Sequence, residues 1–358
     1  MKKKNLTALL LAGAMTIGLA ACGGNSPAPT PAASTPAAST PAEESQPAGT
    51  NYEPATVRVA YMPNLGSASS LFTAIHQGYF EEVGLTVEPA QFSGGPAEIT
   101  AMASGDIDIA QIGHGAHKLC MQGEAVVFAF DQLSQADAVV ANKSHGIETA
   151  ADLKGKTVAV SSGTSSEIIL NFVLAEAGLT MDDIQTVEMN VEGMTTAILS
   201  GQIDAAATWS PNTITIADGL GDDYVLLGTN NDYTDKAAFP SSFITTQAYA
   251  DANRDVLVRF SQAILKAEAY RAANIEEVAK TLAADLEAPE ETMLQATGEG
   301  NWQATVDFMG DMVALKAFYQ AQQQVFLDTG AVEEPVPLEN YILFDVMEDA
   351  YAAYKAGE

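Results

Sequence analysis

The sequence predicts an α/β protein of two similarly built lobes with a cleft between them, and three observations lead to this fold class. First, Ala101–Ala110 and Ala197–Ala206 share a Ser-Gly-x-Ile-Asp core and lie 96 residues apart. Second, the β-rich runs Val57–Tyr61 and Thr157–Val160 each begin an alternation of strand, loop and helix. Such alternation is typical of parallel sheets with right-handed crossovers. Third, helical spacing dominates after about residue 243.

The order of these patterns sets the expected lobe boundaries. Apolar residues at helical spacing follow the second repeat, at Val256, Leu257, Phe260, Ile264 and Leu265. We therefore expect the chain to return to the first lobe and to cover it with helices. The first lobe would comprise residues 55–141 and 240–358, and the second lobe residues 142–239. Two segments would cross between the lobes as a hinge, and the cleft would be the ligand site.

The N-terminal 54 residues are predicted to be a targeting signal and a tether. Three lysines, Lys2–Lys4, precede an apolar run that ends at Ala21, and about sixteen residues is short for a membrane span. The run closes with Leu-Ala-Ala-Cys-Gly at residues 19–23, which resembles the lipobox of bacterial lipoproteins. This resemblance implies removal of residues 1–21 and lipid attachment to Cys22. An ordinary signal peptide followed by an incidental cysteine is the alternative.

Residues 23–54 are rich in Pro, Ala, Ser and Thr, which predicts a disordered linker behind the lipidated Cys22. The whole chain has 46 acidic and 16 basic residues, a net charge of −30. This charge excludes nucleic-acid binding and adhesion to anionic lipid headgroups. Membrane contact is therefore expected through the N-terminal lipid only, and the protein is expected to be a monomer.

Ligands of parallel sheets lie beyond the carboxyl ends of the strands. This rule selects the loops Met62–Ser69, Phe92–Pro96, Gly113–His117, Ser161–Ser166, Asn190–Met194 and Thr208–Asn212. The loop Ser161–Ser166 precedes a helix and is rich in hydroxyl and backbone N–H groups, which suits an anion.

Two further features within these loops leave alternatives open. His114, His117 and Cys120 share one helix face, but no carboxylate cluster joins them, so no metal site is expected. His114 either contacts ligand from its loop or packs in the helix, and Cys120 is expected to be a small buried hydrophobe. Trp209 ends a buried-strand pattern and precedes Pro211, which favours an aromatic cleft wall over a place in the core.

Taken together, these segments resemble the substrate-binding proteins of ABC importers in the nitrate, sulfonate and taurine group. That group shares a domain with binders of thiamine-pyrimidine precursors. The matching elements are Val57–Tyr61 with Pro63, Gly78–Phe80 with Gly84 and Leu85, Ser104–Asp108, Asp152–Lys156 with Val158–Val160, Gly163 with Thr164, Ala177–Leu179, and Gly201–Ala205 with Trp209 and Pro211. They span about residues 57–211.

The resemblance implies a type II periplasmic-binding-protein fold that closes on one small molecule. It also implies docking with an ABC permease and its ATPase, on the outer face of the bacterial cell membrane. The cleft contacts that it implies are Asn64, Phe92, Gly94, Ser161, Thr164, Ser165 and Trp209. Tyr61 and His114 complete the expected ligand-binding set.

The ligand class remains open between two interpretations. A sulfonate, taurine or nitrate-type anion is favoured, held by helix N-termini, hydroxyl groups and His114. Many family members, however, have a histidine shortly after the second-lobe Gly-Thr, where this chain has Glu167, and no arginine lies in a predicted cleft loop. A neutral, zwitterionic or heterocyclic ligand, such as a thiamine-pyrimidine precursor, is the rival, and Tyr61, Phe92 and Trp209 would hold it.

Catalysis is not expected, and no cofactor is assigned. Fungal relatives of the domain make the thiamine pyrimidine with their own histidine and a pyridoxal cofactor, but their cysteine-rich stretch is absent here. A sensory or adhesive lipoprotein without a transport role is a further alternative.

Overall fold

The computed structural model describes residues 52–357. Within that range the strands are β1 (Ala55–Tyr61), β2 (Leu85–Gln91), β3 (Ile109–Ile112), β4 (Val126–Leu133), β5 (Asp137–Asn142), β6 (Thr157–Val160), β7 (Gln185–Glu188), β8 (Ala205–Trp209), β9 (Tyr224–Thr229) and β10 (Pro240–Thr245). The helices of the first half are α1 (Leu65–His76), α2 (Tyr79–Glu82), α3 (Gly95–Ser104), α4 (His117–Met121), α5 (Ser165–Glu176), α6 (Val191–Leu199) and α7 (Asn212–Leu220). The later helices are α8 (Gln247–Ala252), α9 (Arg254–Ala273), α10 (Ile275–Asp285), α11 (Glu290–Gln295), α12 (Trp302–Phe308), α13 (Met312–Asp328) and α14 (Phe344–Gly357).

These strands form two five-stranded sheets of the same topology. The first has the order β2-β1-β3-β10-β4 and the second the order β7-β6-β8-β5-β9. In the first sheet β1 pairs in parallel with β2 and β3, and β10 pairs antiparallel with β3 and β4. In the second sheet β6 pairs in parallel with β7 and β8, and β5 pairs antiparallel with β8 and β9. The internal repeat thus corresponds to two sheets of one design, and the α/β fold class is confirmed.

The repeated Ser-Gly-x-Ile-Asp segment performs the same structural role in both lobes. Gly105 and Gly201 follow helices α3 and α6 with φ angles of 80° and 72°, a conformation that favours glycine. The backbone N–H of Arg58 donates to Asp108 Oδ2 at 2.9 Å, and that of Thr157 donates to Asp204 Oδ2 at 2.7 Å. Each repeated aspartate therefore fixes the turn before β3 or β8 to the first parallel strand of its lobe.

Strand pairing corrects one predicted lobe boundary. The sequence predicts that the first lobe extends to residue 141, whereas β5 pairs with β8 and β9 in the second sheet. The first crossing between the sheets is therefore the short segment 134–136, and the second crossing is the segment 230–239 between β9 and β10. Helices α9 and α14 pack on β4, and α9 also packs on α1, so the C-terminal helices cover the first sheet.

The end of the predicted linker is also corrected. Tyr52 lies over the guanidinium of Arg259, with 5.3 Å between the ring centroid and Cζ, and Arg259 Nη1 donates to the carbonyl of Glu53 at 3.1 Å. These contacts tie residues 52 and 53 to α9 because a buried arginine needs acceptors for its N–H groups. The predicted signal peptide, Cys22 and the rest of the linker lie outside the described residues.

Helix α9 follows the predicted apolar spacing. Val256, Leu257, Phe260 and Ile264 are buried, and Leu265 is half-buried. The Phe260 ring centroid lies 5.0 to 5.9 Å from the rings of Phe80, Phe128 and Phe243, which joins α9 to α2, β4 and β10. Among the described residues, no helix combines the length and apolar character that crossing a membrane requires.

Candidate functional site

A cavity that opens to solvent lies between the two sheets, and its empty space, counted with that opening, is about 510 Å³. It is formed mainly at the carboxyl ends of the parallel strands and at the first crossing. Its lining residues come from both lobes: Met62, Asn64, Gly66, Ser67, Gly95, Gln111, Gly113, Ala116, Gln132, Ser134, Ala136, Asp137, Gly163, Thr164, Ser165, Trp209 and Ser241. A second opening of about 500 Å³ shares Met62, Asn64 and Trp209 with this cavity and also touches Val191 and Glu192. We call the first of these the cleft.

Three helices begin at the cleft, namely α1, α3 and α5. Asn64 caps α1, and its Oδ1 accepts the backbone N–H of Ser67 at 2.8 Å. Thr164 precedes α5, and its hydroxyl donates to the carbonyl of Ser161 at 2.7 Å. Because the first-turn N–H groups of a helix have no intrahelical acceptor, these ends carry partial positive charge and favour anionic or acceptor groups.

The two lobes touch directly beside the cleft. A Cβ atom on Gly115 would lie 2.2 Å from the carbonyl carbon of Thr164 and 2.6 Å from the backbone nitrogen of Ser165. A Cβ on Gly94 would lie 3.9 Å from Thr164 Cγ2. Since Gly94 and Gly115 belong to the first lobe and Thr164 to the second, the two lobes are in direct contact at this side of the cleft.

A buried aspartate, Asp137, lines the cleft at the start of β5. The Ser165 hydroxyl donates to its Oδ1 at 2.6 Å, and Asn230 Nδ2 donates to its Oδ2 at 3.1 Å. Burial raises the pKa of the Asp137 carboxyl to about 6 in spite of these two hydrogen bonds. Burial and the charge of Asp137 together raise the pKa of Glu299 to about 7. No lysine or arginine is among the residues that line the cleft.

Two glutamines present unpartnered carbonyl oxygens among the cleft residues. Gln111 Nε2 donates to Asp131 Oδ2 at 2.7 Å, which orients its amide, and its Oε1 has no hydrogen-bond partner. Gln132 Oε1 is likewise buried without a partner. Gln111, Gln132 and Asp137 are not among the site residues that the sequence predicts. A usable signal was present for Gln111, since it interrupts the otherwise apolar pattern of β3 and a buried polar side chain needs a partner.

The structure brings four of the predicted residues together in the cleft: Asn64, Thr164, Ser165 and Trp209. Gly94 lies beside them, immediately before the cleft residue Gly95. Trp209 also packs in an apolar cluster of the second lobe with Val140, Val191 and Ile216, among others, and it is 8% exposed. Trp209 therefore contributes both to the wall of the cavity and to the packing of the second lobe, and its contact with ligand stays a prediction.

His114 does not line the cleft, which corrects the prediction for this residue. Its ring is buried 5.1 Å from the rings of both Phe239 and Phe326, measured between centroids. Burial lowers the pKa of His114 well below its usual value, so the ring is uncharged at neutral pH. An uncharged histidine behind the cleft wall supplies no positive charge to an anion.

Tyr61, Phe92 and Ser161 also lie outside the cleft lining. Tyr61 shares one face of β1 with Val57 and Val59, and its ring packs edge-on against Phe72 at 5.1 Å. Phe92 is half-buried against the core, and Ser161 contributes its carbonyl to Thr164. Strand alternation therefore directs Tyr61 into the core of the first lobe, although it ends β1 beside the cleft.

The described residues contain no group of three His, Cys, Asp or Glu side chains arranged to hold a metal ion. His117 Nε2 forms a hydrogen bond with Ser242 Oγ at 2.9 Å, and burial lowers the pKa of His117 to about 4. Cys120 is fully buried, as expected for a small hydrophobe.

Comparison with known proteins identifies the family. The profile of the NMT1/THI5-like family matches residues 67–278. The chain belongs to this family. A protein of Brucella abortus named as a binding protein is 31% identical over 296 residues, which cover 81% of this chain and 90% of the relative. A protein of Escherichia coli named for binding aliphatic sulfonates is 28% identical over 64% of this chain and 72% of its own length.

Solved structures show the same fold. The alkanesulfonate-binding protein SsuA of Xanthomonas axonopodis, bound to MOPS, superposes with a TM-score of 0.66 at 23% identity, over 81% of this chain and 99% of its own. The periplasmic nitrate-binding protein NrtA of Synechocystis superposes with a TM-score of 0.69 at 14% identity, over 85% and 90% of the two chains. The NMT1/THI5-like chain described here therefore has the periplasmic-binding-protein fold, and its relatives are binding proteins.

Proposed function

We propose that this protein is the solute-binding component of an ABC importer, which captures one small molecule in the cleft and delivers it to a permease. The observation that carries this proposal is the cleft itself, which is lined from both lobes next to their direct contact at Gly115 and Thr164. A molecule held there contacts both lobes and favours the closed arrangement over an open one. The closed protein then presents both lobes to the permease at once.

The named relatives support a small, polar and acidic solute as the starting point. Their names specify aliphatic sulfonates and nitrate, and one of them holds the sulfonate MOPS. The helix N-termini of α1, α3 and α5 give this cleft partial positive charge for an anionic group. A sulfonate, taurine or nitrate-type group thus has a place to bind, although His114 takes no part.

The location that we propose is the outer face of the cell membrane, with a lipid on Cys22 as the anchor and residues 23–51 as the tether. This rests on the signal-peptide and lipobox patterns of residues 1–23. We expect the Cys22→Ser variant to be released from the membrane fraction while still binding ligand. A variant that stays membrane-bound would contradict lipid anchoring and leave solute binding intact.

Ligand-dependent closure tests the function. We expect a bound solute to raise the Tm. We also expect it to decrease the radius of gyration measured by small-angle X-ray scattering, because the ligand-free protein is more open than the closed, ligand-bound protein. The panel is alkanesulfonates, taurine, nitrate, amino acids and pyrimidines. If none changes the Tm and no small molecule is released when the natively purified protein is denatured, the proposal is wrong.

A further inference from the structure

We propose that the ligand of the cleft is a small zwitterion, whose ammonium group is recognised by Asp137 and whose negative group is held at the helix N-termini. This inference rests on the proposed function and deepens it. The named relatives include binders of nitrate, of aliphatic sulfonates and of taurine, and taurine is itself a zwitterion. The acceptor groups of this cleft favour a ligand that donates hydrogen bonds in addition to carrying a negative group.

The residues that line the cleft have an excess of buried hydrogen-bond acceptors. The carboxylate of Asp137 and the Oε1 atoms of Gln111 and Gln132 all belong to cleft residues that are at most 3% exposed. Both glutamine oxygens have no hydrogen-bond partner among the described residues. A buried acceptor without a donor costs about 1–3 kcal/mol, so a ligand N–H group that reaches either glutamine oxygen offsets that cost.

The Gln111 acceptor is also fixed in orientation. Its Nε2 atom donates to Asp131, and Asp131 in turn pairs with Arg271, with 3.1 Å between Oδ1 and Nη1. Both members of this pair are fully buried, so the amide has a partner that accepts but does not donate. If the amide rotated by 180°, the Gln111 carbonyl oxygen would face the Asp131 carboxylate, and two acceptors would meet. The Gln111 carbonyl oxygen therefore points away from Asp131 and can accept a hydrogen bond from another group.

The charged groups around the cleft are mainly acidic. Asp137 faces Ser165 from α5, Asn230 from the segment after β9, and the neighbouring acid Glu299. The nearby cation Lys118 lies beside Gly163, but its Nζ pairs with Glu167 at 3.7 Å. His114 and His117 are buried and uncharged.

A simple anion would therefore add a negative charge to a cavity that already contains a carboxylate and no unpaired cation. Like charges interact strongly in such a water-poor space. A ligand that carries its own ammonium compensates the Asp137 charge. Its sulfonate, carboxylate or phosphonate can then accept the backbone N–H of Gly66 in the first turn of α1, since Asn64 already accepts that of Ser67.

Matched pairs of probes test this inference by calorimetry at pH 7.5. Each pair consists of a zwitterion and the same anion without its amine: taurine with ethanesulfonate, β-alanine with propionate, and 2-aminoethylphosphonate with ethylphosphonate. We expect at least one zwitterion to bind tenfold or more tightly than its partner. Asp137→Asn should abolish that preference. Asp218→Asn removes the same charge from an exposed position outside the cleft and should leave the preference unchanged.

Outcomes distinguish this inference from the proposed function. If binding is seen and in every pair that binds the anion binds as tightly as its zwitterion, the inference is overturned and solute binding is kept. A zwitterion preference that survives in Asp137→Asn would also overturn it. If no pair binds, the molecule released from natively purified protein decides: an amine-bearing anion supports the inference, and any other molecule overturns it. Absence of both binding and a released molecule overturns the proposed function as well.

Discussion

Two buried aspartates, Asp131 and Asp137, lie six positions apart on either side of the first crossing, and their carboxylates have different kinds of partner. Asp131 belongs to β4 and forms an ion pair with Arg271, and Gln111 donates to it as well. Asp137 begins β5 and receives hydrogen bonds only from the neutral groups of Ser165 and Asn230. Burial raises the pKa of both carboxyls, but a cation opposes this effect only at Asp131.

This difference separates a structural charge from a functional one. Asp131 has its counter-ion inside the chain and does not line the cleft, whereas Asp137 lines the cleft and has no counter-ion among residues 52–357. A carboxylate that the fold buries without a cation lowers stability, and such groups concentrate at sites where a ligand completes them.

The largest effect is expected from removing the structural cation. Arg271→Met should lower the free energy of unfolding by about 3–5 kcal/mol, because the Asp131 carboxylate would remain buried without its counter-ion. Urea denaturation at pH 7 measures this. Arg254→Met is the control, since Arg254 pairs with Asp345 at an exposed site and should cost less than about 1 kcal/mol. Equal losses in the two variants would contradict the structural role of the Asp131–Arg271 pair.

Trp209→Ala should weaken ligand binding by about 1–3 kcal/mol, because the indole contributes apolar area to the cleft wall. The comparison variant is Trp302→Ala, which removes a buried tryptophan that packs on Arg271 in the first lobe. Both substitutions should lower the Tm, but only Trp209→Ala should change the Kd. An unchanged Kd would return Trp209 to a purely structural role.

Gly115→Ala should lower affinity at least tenfold, which corresponds to about 1.4 kcal/mol, because the new methyl group would meet the Thr164 backbone and hold the lobes apart. Scattering should show a radius of gyration that stays large when ligand is added. Gly298→Ala is the matched control, since nothing lies within 4 Å of its Cβ position. Normal closure in Gly115→Ala would show that the ligand-bound lobes do not adopt the contact described here.

The smallest effect concerns the ligand-free protein and its pH dependence. The pKa of Asp137 is raised from 3.8 to about 6, so the native state retains its proton longer than the unfolded state. Stability therefore falls as the pH rises from about 4 to 6 and stays lower above that window. Asp137→Asn should remove this loss and gain about 1–2 kcal/mol at pH 7, but almost nothing at pH 4. A loss of stability at pH 7 would make Asp137 a structural residue.

Much of the fold was predictable because it depends on local and periodic features. The repeated Ser-Gly-x-Ile-Asp segment places a helix end, a left-handed glycine and a strand in the same order in both lobes. The boundary at Asp137 was not predictable in this way. An apolar strand such as β5 would have the same sequence pattern in either sheet. Only its pairing with β8 and β9 shows that it belongs to the second sheet.

The site was predictable only as far as strand ends determine it. Asn64, Thr164 and Ser165 follow the rule for parallel sheets and lie in the cleft. His114 occupies such a loop too, but Phe326 of α13 covers it, and no local pattern shows that a helix two hundred residues later packs there. Gln111 and Asp137 are held in the cleft by hydrogen bonds to residues that are distant in sequence. A single sequence does not show which distant residues form such contacts.

The identity of the natural ligand tests the central claim most directly. Protein purified from its native cells should be denatured and the released small molecule analysed by mass spectrometry, with protein carrying Asp137→Asn treated in the same way. We predict a stoichiometric molecule with both a protonatable amine and an acidic group, and its loss from the Asp137→Asn protein. An acid without nitrogen, retained equally by both proteins, would contradict the account.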